Sequence, residues 1–349
     1  MPPDTAFRQQ RLPAVQPIVT PAWVVALFMT IGVLFVPWGA WLKLEYGRVV
    51  ELKQQYDGDG KTVDCSISTI NEGRQCEVTF QLEEAMAAPV YVYFELGKFY
   101  QNHRTYVKSR SNGQLAGGVG EASSCDPLES VGSYELNPCG LAANNMFNDI
   151  IVVAGGPGWS DSTSPRDYMT ESDISWASDH DGVFMQPDGF VSAECAPTDG
   201  CEACLGSSSY TDCGNYVDNQ TGVEYKYWYP EEAATQYLYE TYPEVISPIQ
   251  GVENEHFMVW MRTAARSTFR NLYGRIEHDL AASARLTFNV TANFHVSVFG
   301  GTKSLVITTA STVGNKNGTL ATAFLSVGGA CLVAGLVVLS KFQASPRSV

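Results

Sequence analysis

Two long stretches without charged side chains lie near the two ends of this 349-residue chain. The first covers residues 22–42 and the second covers residues 320–339, and both are apolar almost throughout. A helix of about 20 residues is long enough to cross the roughly 30 Å hydrocarbon core of a bilayer. We therefore predict two transmembrane helices at these positions, which divide the chain into two short tails and one long loop.

The alternative interpretation of the first stretch is a secretory signal peptide, which is removed from the mature protein. Its apolar part is longer than the roughly 7–15 residues of a signal-peptide core, and no small-residue cleavage pattern follows it cleanly. An uncleaved membrane anchor is therefore the better interpretation.

Positive charges flank both stretches on their outer sides. Arg8 and Arg11 precede the first stretch, while Lys341 and Arg347 follow the second. Short segments rich in Lys and Arg stay on the cytosolic side of a membrane. We therefore predict that the tails 1–21 and 340–349 are cytosolic and that residues 43–319 form one exoplasmic domain, either lumenal or extracellular.

The long loop is strongly acidic. Four of the 22 Lys and Arg residues and one of the 37 Asp and Glu residues lie in the tails, which leaves 18 basic and 36 acidic residues in the loop. Proteins that bind nucleic acids gain affinity by neutralising phosphates with basic side chains, so this balance excludes nucleic acid as a partner. An apolar content of 45% is ample for a folded core.

Eight of the nine cysteines lie in the loop, an even number that suits disulfides in an oxidising compartment. They are Cys65, Cys76, Cys125, Cys139, Cys195, Cys201, Cys204 and Cys213. The last four fall in a stretch at about 187–219 that is rich in Gly, Ser, Pro and Asp, which we interpret as a disulfide-bonded insertion. The Cys201-Glu-Ala-Cys204 spacing also matches a redox pair or half a zinc site. Two structural disulfides are the favoured interpretation, with their pairing left open.

Three sites match the pattern for N-glycosylation, which suits an exported surface. Two of them, Asn219-Gln-Thr221 and Asn289-Val-Thr291, lie well inside the loop, and we predict glycans there. The third, Asn317-Gly-Thr319, directly precedes the second predicted helix and is discounted because the membrane is so close.

Alternating apolar and polar residues predict half-buried antiparallel strands in the loop. The pattern occurs at 76–82, 88–96, 286–291 and 303–308. In 286–291 it places Asn289 on the solvent face of its strand. Residues 256–276 show alternation first and helical spacing afterwards, which predicts a strand running into a short helix.

Apart from the Cys201–Cys204 pair, the loop contains no set of residues with the spacing of a catalytic or metal site. The five histidines form no helical pair, and the Gly-x-Ser-x-Gly pattern of a nucleophile turn is absent. Gly58-Asp-Gly60-Lys61-Thr62 ends like a phosphate-binding loop, but Gln55 stands in the place of its first glycine, so a surface turn is the better interpretation. We predict a protein with no catalytic residue, cofactor or metal.

Neither predicted membrane helix contains an ionisable residue, which argues against a transport pathway between them. The second helix carries Ser326, Ala330 and Ala334 at intervals of four residues. Small residues allow another helix to approach closely. We predict lateral packing against a second protein, the alternative being that the two spans pack only with each other.

Several sequence blocks follow one another in a fixed order along nearly the whole chain. They are Phe7-Arg-Gln-Gln-Arg-Leu-Pro-Ala14, Tyr100-Gln-Asn-His-Arg-Thr-Tyr-Val-Lys-Ser109, Pro138-Cys-Gly-Leu141 with Asn148-Asp149, Ile174-Ser-Trp176, Phe257-Met-Val-Trp-Met-Arg-Thr-Ala264, Thr268-Phe-Arg-Asn-Leu-Tyr-Gly-Arg-Ile276, Asn289-Val-Thr-Ala-Asn293, Phe299-Gly-Gly-Thr-Lys303 and Gly314-Asn-Lys-Asn317. In these blocks and in their order, the chain resembles the cell division control protein fifty, or ligand-effect modulator, family.

The resemblance implies a membrane protein in which two transmembrane α-helices flank a large exoplasmic α+β domain with an antiparallel β-sandwich core. It also implies two disulfides, Cys65–Cys76 and Cys125–Cys139. Members of the family are accessory (beta) subunits of type-IV P-type ATPases, the phospholipid flippases. This chain has no Asp-Lys-Thr-Gly phosphorylation motif, so we expect a non-catalytic partner that forms a heterodimer with the catalytic ATPase subunit.

As such a subunit, the chain is expected to support assembly, exit from the endoplasmic reticulum and translocation of membrane phospholipids. The expected location is the endoplasmic reticulum, Golgi, endosomal or plasma membrane. Three surfaces are expected to contact the ATPase: the head with Phe7, Arg8, Gln9, Gln10, Arg11 and Leu12, the two spans with Ser326, Ala330 and Ala334, and the exoplasmic domain.

Two segments depart from the family pattern, namely the cysteine cluster 195–213, interpreted as a lineage-specific insertion, and Ser311-Thr-Val-Gly314. Trp260 and Arg262 are expected to be fold determinants. The block with Arg104 and Lys108 fits an interface and a strand-end fold determinant equally well. The alternative function is a cell-surface receptor or a lectin-like membrane protein, which would bind a soluble ligand without any ATPase.

Overall fold

The computed structural model describes residues 5, 7, 20–120, 125–160, 164–195, 213–218, 221–230, 233–310 and 318–344. The chain divides into two compact units, one made of residues 1–49 and 310–349 and the other of residues 50–309. Among the described residues, the first unit is formed mainly by two long helices, and the second is rich in β-structure.

The long helices are α1 (Pro21–Gly47) and α8 (Gly318–Ala344), each with 27 residues. Both are long and apolar enough to cross a membrane, with mean hydropathies of 2.0 and 2.2 over their most apolar 18 residues. They extend beyond the apolar stretches at 22–42 and 320–339 because polar residues at their ends continue the helical backbone. Pro21 begins α1, a position where proline fits because its missing N–H has no partner to lose.

The strands of the second unit are numbered in chain order. They are β1 (Glu51–Asp57), β2 (Arg74–Gln81), β3 (Val90–Gly97), β4 (Ser130–Val131), β5 (Tyr134–Asn137), β6 (Ile150–Gly155), β7 (Val191–Glu194), β8 (Gly214–Val217), β9 (Glu224–Trp228), β10 (Thr235–Tyr237), β11 (Phe269–Ile276), β12 (Arg285–Ala292) and β13 (Thr302–Thr309).

Short helices connect these strands. They are α2 (Arg104–Lys108), α3 (Asn112–Leu115), α4 (Pro165–Tyr168), α5 (Ala177–His180), α6 (Leu238–Thr241) and α7 (Glu255–Met261), together with three 3-10 turns at Ala143–Asn145, Gly251–Glu253 and Ser297–Phe299.

Two antiparallel sheets form a β-sandwich. The larger sheet has the order β1-β13-β3-β11, and the smaller has the order β2-β12-β6. Their inward side chains, such as Val92 and Ile307 from the larger sheet and Phe80 and Phe288 from the smaller, join one buried hydrophobic cluster. The sequence predictions of strands at 76–82, 88–96, 286–291 and 303–308 are confirmed as β2, β3, β12 and β13.

Two further sheets lie outside the sandwich. One has the order β10-β5-β4, and the other has the order β7-β9-β8, in which β7 and β8 lie within the predicted cysteine-rich insertion at about 187–219 and β9 follows it. No residue of β7, β8 or β9 is fully buried.

The prediction for residues 256–276 was wrong, because the helix comes first and the strand follows it. Helix α7 begins where the Oδ1 atom of Asn254 accepts a hydrogen bond from the Phe257 amide at 3.2 Å. In strand β11 the register shifts between Leu272 and Gly274. This bulge interrupts the alternation of buried residues, so that the apolar spacing in the strand imitates a helix.

Candidate functional site

A buried ionic cluster connects the two sheets at one end of the sandwich. The Nζ atom of Lys303 is fully buried and lies 2.8 Å from the Oδ2 atom of Asp149 and 3.3 Å from the Oδ2 atom of Asp57. It also donates a hydrogen bond to the Phe294 carbonyl at 2.7 Å. A buried ammonium group is tolerated only when it is paired and hydrogen-bonded, as it is here.

Asp149 is the acceptor at the centre of this cluster. Its Oδ1 atom accepts the backbone amides of Asn293 and Phe294, both at 2.6 Å, and its Oδ2 atom accepts the Tyr56 hydroxyl at 2.9 Å. Burial, reinforced by the negative charge of Asp149, holds the pKa of Tyr56 well above its ordinary value. The hydroxyl therefore stays protonated and donates to the carboxylate.

The cluster was not predicted from the sequence. Three of its members, Asp149, Asn293 and Lys303, nevertheless lie in the sequence blocks that carry the family resemblance. One signal was available, because Lys303 alternates with Leu305 and Ile307 and therefore points to the core side of β13. A charged residue at such a position indicates a buried partner.

Arg262 and Trp176 form a rigid polar feature near the surface. Arg262 donates two hydrogen bonds of 2.8 Å to the carboxylate of Asp179, and its guanidinium lies 4.7 Å from the centre of the Trp176 ring. The hydrogen bonds to Asp179 hold the pKa of Arg262 above its ordinary value. Trp176 remains 65% exposed. Arg262 thus joins a carboxylate on one side to an exposed indole on the other.

Trp260 supports the fold from inside the domain. Its ring is buried, and its Nε1 atom donates a hydrogen bond of 2.8 Å to the Ala142 carbonyl. Arg104 and Lys108, by contrast, both lie exposed on α2, whose buried residue is Tyr106. The charged side chains of this block are therefore available to a partner, while the tyrosine between them holds the helix in place.

The disulfides Cys65–Cys76 and Cys125–Cys139, which the resemblance implies, are both present, with Cα–Cα distances of 5.7 Å. Cys195 and Cys213 are also disulfide-bonded. They stand directly after β7 and directly before β8, while Cys201 and Cys204 lie outside the described residues.

Of the two predicted glycosylation sites, Asn289 lies within the described residues. Asn289 lies exposed in the middle of β12, between Glu77 of β2 and Val152 of β6. Its side chain therefore points away from the core, as the alternation predicted. Asn219 lies outside the described residues, between the described positions Asp218 and Thr221.

Glycines form the contact between α1 and α8. They are Gly32, Gly39, Gly328 and Gly335, and each faces the opposite helix. A Cβ atom on Gly328 would lie 2.9 Å from the Cγ2 atom of Val36, so no larger side chain fits there. Sequence analysis missed this contact, although the two glycines of each helix are separated by the same seven positions.

The small residues predicted to pack against another protein lie mostly on a different face of α8. Ser326 and Ala330 are exposed, and Ala334 is half-buried. A Cβ atom on Gly329 would meet no heavy atom within 4 Å. This face of α8 is therefore not covered by α1. In the head, Phe7 is 77% exposed, and Arg8, Gln9, Gln10, Arg11 and Leu12 lie outside the described residues.

These features define a class of protein: a two-span membrane protein whose disulfide-bonded β-sandwich lies between the spans in the sequence. A family model described as LEM3 (ligand-effect modulator 3) family / CDC50 family matches residues 42–348. The chain belongs to this family, and the resemblance stated from its sequence blocks is confirmed.

Curated relatives match over almost their full length. The chain is 32% identical to the putative ALA-interacting subunit 4 of Arabidopsis thaliana, covering 99% of this chain and 91% of the relative. It is 32% identical to cell cycle control protein 50A of Mus musculus, and the match covers 97% of this chain and 88% of that relative. It is 28% identical to the phospholipid-transporting ATPase accessory subunit CDC50 of Chaetomium thermophilum, and the match covers 100% of this chain and 89% of that relative.

Proposed function

We propose that this chain is the non-catalytic accessory subunit of a P-type ATPase that transports phospholipids. The observation that carries the proposal is membership of the LEM3/CDC50 family over nearly the whole chain, which includes a relative described as the accessory subunit of such an ATPase. The arrangement of two apolar helices with a large intervening domain agrees with a subunit that accompanies a membrane pump.

A subunit of this kind acts through binding energy. A protein that binds only the folded ATPase stabilises it by mass action, which supports its assembly and its exit from the endoplasmic reticulum. If it binds one state of the transport cycle more tightly than another, it also shifts the population of those states. Neither effect requires a reacting group on this chain.

Three surfaces of the chain are proposed to carry the contact. The first is the head with Phe7, and the second is the face of α8 around Gly329 and Ala330, which α1 leaves uncovered. The third is the unit formed by residues 50–309, here called the β-domain, which is cross-linked by disulfides and exposes Trp176. Close approach of a partner helix to α8 is favoured by its small residues.

The orientation in the membrane is proposed from the flanking charges. The tails 1–21 and 340–349 lie in the cytosol, and residues 43–319 lie on the exoplasmic side, where glycans at Asn219 and Asn289 are attached. The endoplasmic reticulum, Golgi, endosomal and plasma membranes are the proposed locations. Disulfides in the β-domain support an oxidising compartment.

Co-purification tests the proposed function. The tagged full-length chain is extracted from its own cells in a mild detergent, and the proteins bound to it are identified and quantified by mass spectrometry. The expected result is a P-type ATPase of the phospholipid-transporting class in roughly equal amount. Its absence under conditions that preserve other membrane complexes would overturn the proposal.

A further inference from the structure

Two stretches of basic side chains interrupt the acidic sequence of the β-domain. Residues 98–120 and residues 256–276 contain Lys, Arg and His but no Asp or Glu. Basic residues that gather in one part of an otherwise acidic domain create a local positive potential at its surface. The proposed function gives this charge no specific role.

The two stretches lie side by side at one end of the larger sheet. Strand β3 leads into the first stretch, and the second leads into β11, which is the partner of β3 in the sheet. The Phe99 amide donates a hydrogen bond of 2.9 Å to the Ser267 carbonyl, and the Nδ2 atom of Asn102 donates one of 3.0 Å to the Ala265 carbonyl. The basic side chains of both stretches therefore belong to one region of the surface.

Four exposed cations in this region form no ion pair within the part of the chain that the structure describes. They are Lys98, Arg104, Lys108 and Arg266. Other arginines of the second stretch each contact a carboxylate, namely Arg262, Arg270 and Arg275. Arg104 and Lys108 are also four positions apart on α2, where like charges repel each other. A bound anion would relieve that repulsion.

Lys98 has a backbone conformation that is unusual for a lysine. Its φ angle is +60°, in the left-handed region that glycine and asparagine occupy at a lower energy cost. Strain of this kind concentrates at binding sites, where it is part of the function. The conformation of Lys98 is thus a second observation, independent of the charge, that indicates a binding role for this corner of the domain.

An aromatic ring accompanies the cations. Tyr100 is 61% exposed and lies two positions after Lys98. Tyrosine combines an apolar ring, on which a sugar ring can stack, with a hydroxyl group that forms hydrogen bonds. We call Tyr100 and the four unpaired cations the basic patch. The described clefts around Glu244 and His256 are lined by other residues, so the patch offers spaced charges and a ring rather than a pocket for a peptide side chain.

We propose that the basic patch binds a sulfated polysaccharide. Surface patches rich in Lys and Arg bind nucleic acids or heparin-like sulfated glycans, and the exoplasmic location leaves the glycans. The sulfate groups pair with the four cations, and the guanidinium groups of Arg104 and Arg266 donate paired hydrogen bonds to them. A sugar ring stacks on Tyr100. This inference goes beyond the proposed function and rests on the exoplasmic location that is part of it.

Binding of heparin to the full-length chain, purified in detergent with its bound ATPase, tests this inference. The dissociation constant is measured by biolayer interferometry between about 50 and 200 mM salt. Four contacts with a linear polyanion are expected to weaken about 50-fold over this range, because counterions return to the polymer when it is released.

Two other polyanions show which chemistry the patch recognises. Hyaluronan, a carboxylated glycan without sulfate, is expected to bind at least about tenfold more weakly than heparin because its charge density is lower. A glutamate-rich peptide with the same number of charges is also expected to bind at least about tenfold more weakly, because its backbone loses conformational entropy on binding.

Two variants remove charges from the patch. Asparagine suits the positive φ angle, so Lys98→Asn is expected to keep the melting temperature of the parent while weakening heparin binding about fivefold. The double variant Arg104→Gln, Lys108→Gln leaves two of the four cations and is expected to reduce the salt effect from about 50-fold to about sevenfold. The matched control is Arg285→Gln, which removes an exposed cation from β12 in the other sheet and should change neither quantity. If the double variant has a lower melting temperature, Lys98→Asn decides.

Three results would overturn this inference: no heparin binding at about 50 mM salt, an unchanged salt effect in the double variant with unchanged affinity in Lys98→Asn, or a glutamate-rich peptide that binds as tightly as heparin. The last result would assign the patch to an acidic protein segment. If the charge variants lower recovery of the ATPase, the patch contacts the pump and the inference is wrong. Because ATPase recovery is measured on the same preparations, a failure of this inference is distinguishable from a failure of the proposed function.

Discussion

At the scale of single residues, the most consequential side chain of the β-domain is Lys303. It connects two carboxylates and a backbone carbonyl in a site without access to water. The ion pairs offset much of the cost of removing the charges from water, so the pairing contributes little net stability compared with an apolar core. The loss of one charged side chain from the cluster, however, leaves the opposite charges buried without a partner of the other sign.

Replacement of this lysine is therefore expected to destabilise the domain strongly. Lys303→Met keeps most of the side-chain volume but leaves Asp149 and Asp57 without their cation, which costs about 3–5 kcal/mol of unfolding free energy. The matched control is Lys108→Met, at an exposed position of α2. The unfolding free energy of this variant is expected to stay within about 0.5 kcal/mol of the parent value. Chemical denaturation followed by tryptophan fluorescence measures both. Equal stability of the two variants would contradict this account of the cluster.

A second residue-scale prediction concerns pH. Glu255 accepts the amides of Asp173, Ile174 and Ser175 at 2.7–2.9 Å. Burial acts to raise the pKa of Glu255, but these hydrogen bonds outweigh it and hold the pKa below the usual value of 4.5. A carboxyl group with a lowered pKa contributes stability above its unfolded pKa and loses that contribution as the pH falls through the folded pKa.

We therefore expect Glu255→Gln to lower the melting temperature most at about pH 7 and progressively less towards about pH 3. Thermal unfolding over this range measures the difference between parent and variant. Glu84→Gln, at an exposed position after β2, provides the control and should leave the profile unchanged. A constant difference between Glu255→Gln and the parent at all pH values would show that the effect of Glu255 is unrelated to its charge.

At the scale of elements, two neighbouring glycines of α8 face different surroundings. A Cβ atom on Gly328 would lie 2.9 Å from Val36 of α1, whereas one on Gly329 meets nothing within 4 Å. We expect Gly328→Leu to force the helices apart and to lower the thermal stability of the isolated chain. We expect Gly329→Leu to preserve that stability but to lower the amount of ATPase recovered, because it blocks the face proposed for a partner helix.

Gel filtration after heating measures the stability of both glycine variants, and quantitative co-purification measures recovery of the ATPase. The two substitutions introduce the same side chain one position apart, so each is a control for the other. Recovery of the parent amount of ATPase with Gly329→Leu would exclude this face of α8 from the interface.

The strands of the sandwich were predictable from sequence wherever one face met the core and the other met solvent, as in β2 and β12. The order of helix and strand in 256–276 was not predictable, because a bulge in β11 disturbs the alternation that identifies a strand. Strand β1 was missed because five of its seven residues are polar or charged and only Leu52 and Tyr56 are apolar. Apart from the hydrogen bond between Lys303 and Phe294, the contacts of the ionic cluster join residues at least 93 positions apart, such as Tyr56 and Asp149, which local patterns do not encode.

At the scale of the whole molecule, the chain combines two membrane helices with an acidic, disulfide-bonded domain placed between them in the sequence. Only three residues separate α1 from β1, and eight separate β13 from α8. Along the chain, β1 is the first strand of the larger sheet and β13 is the last, and these two strands pair directly with each other. The beginning of β1 and the end of β13 therefore lie next to each other in the larger sheet.

The central claim is that this chain is required by a phospholipid-transporting ATPase, and the most direct measurement removes the chain from its own cells. The inward movement of fluorescent phospholipid and the location of the ATPase are then followed with and without re-expression of the chain. The account predicts that the ATPase remains in the endoplasmic reticulum and that transport is lost, with both restored by the re-expressed chain. Normal ATPase location and normal transport in its absence would contradict the account.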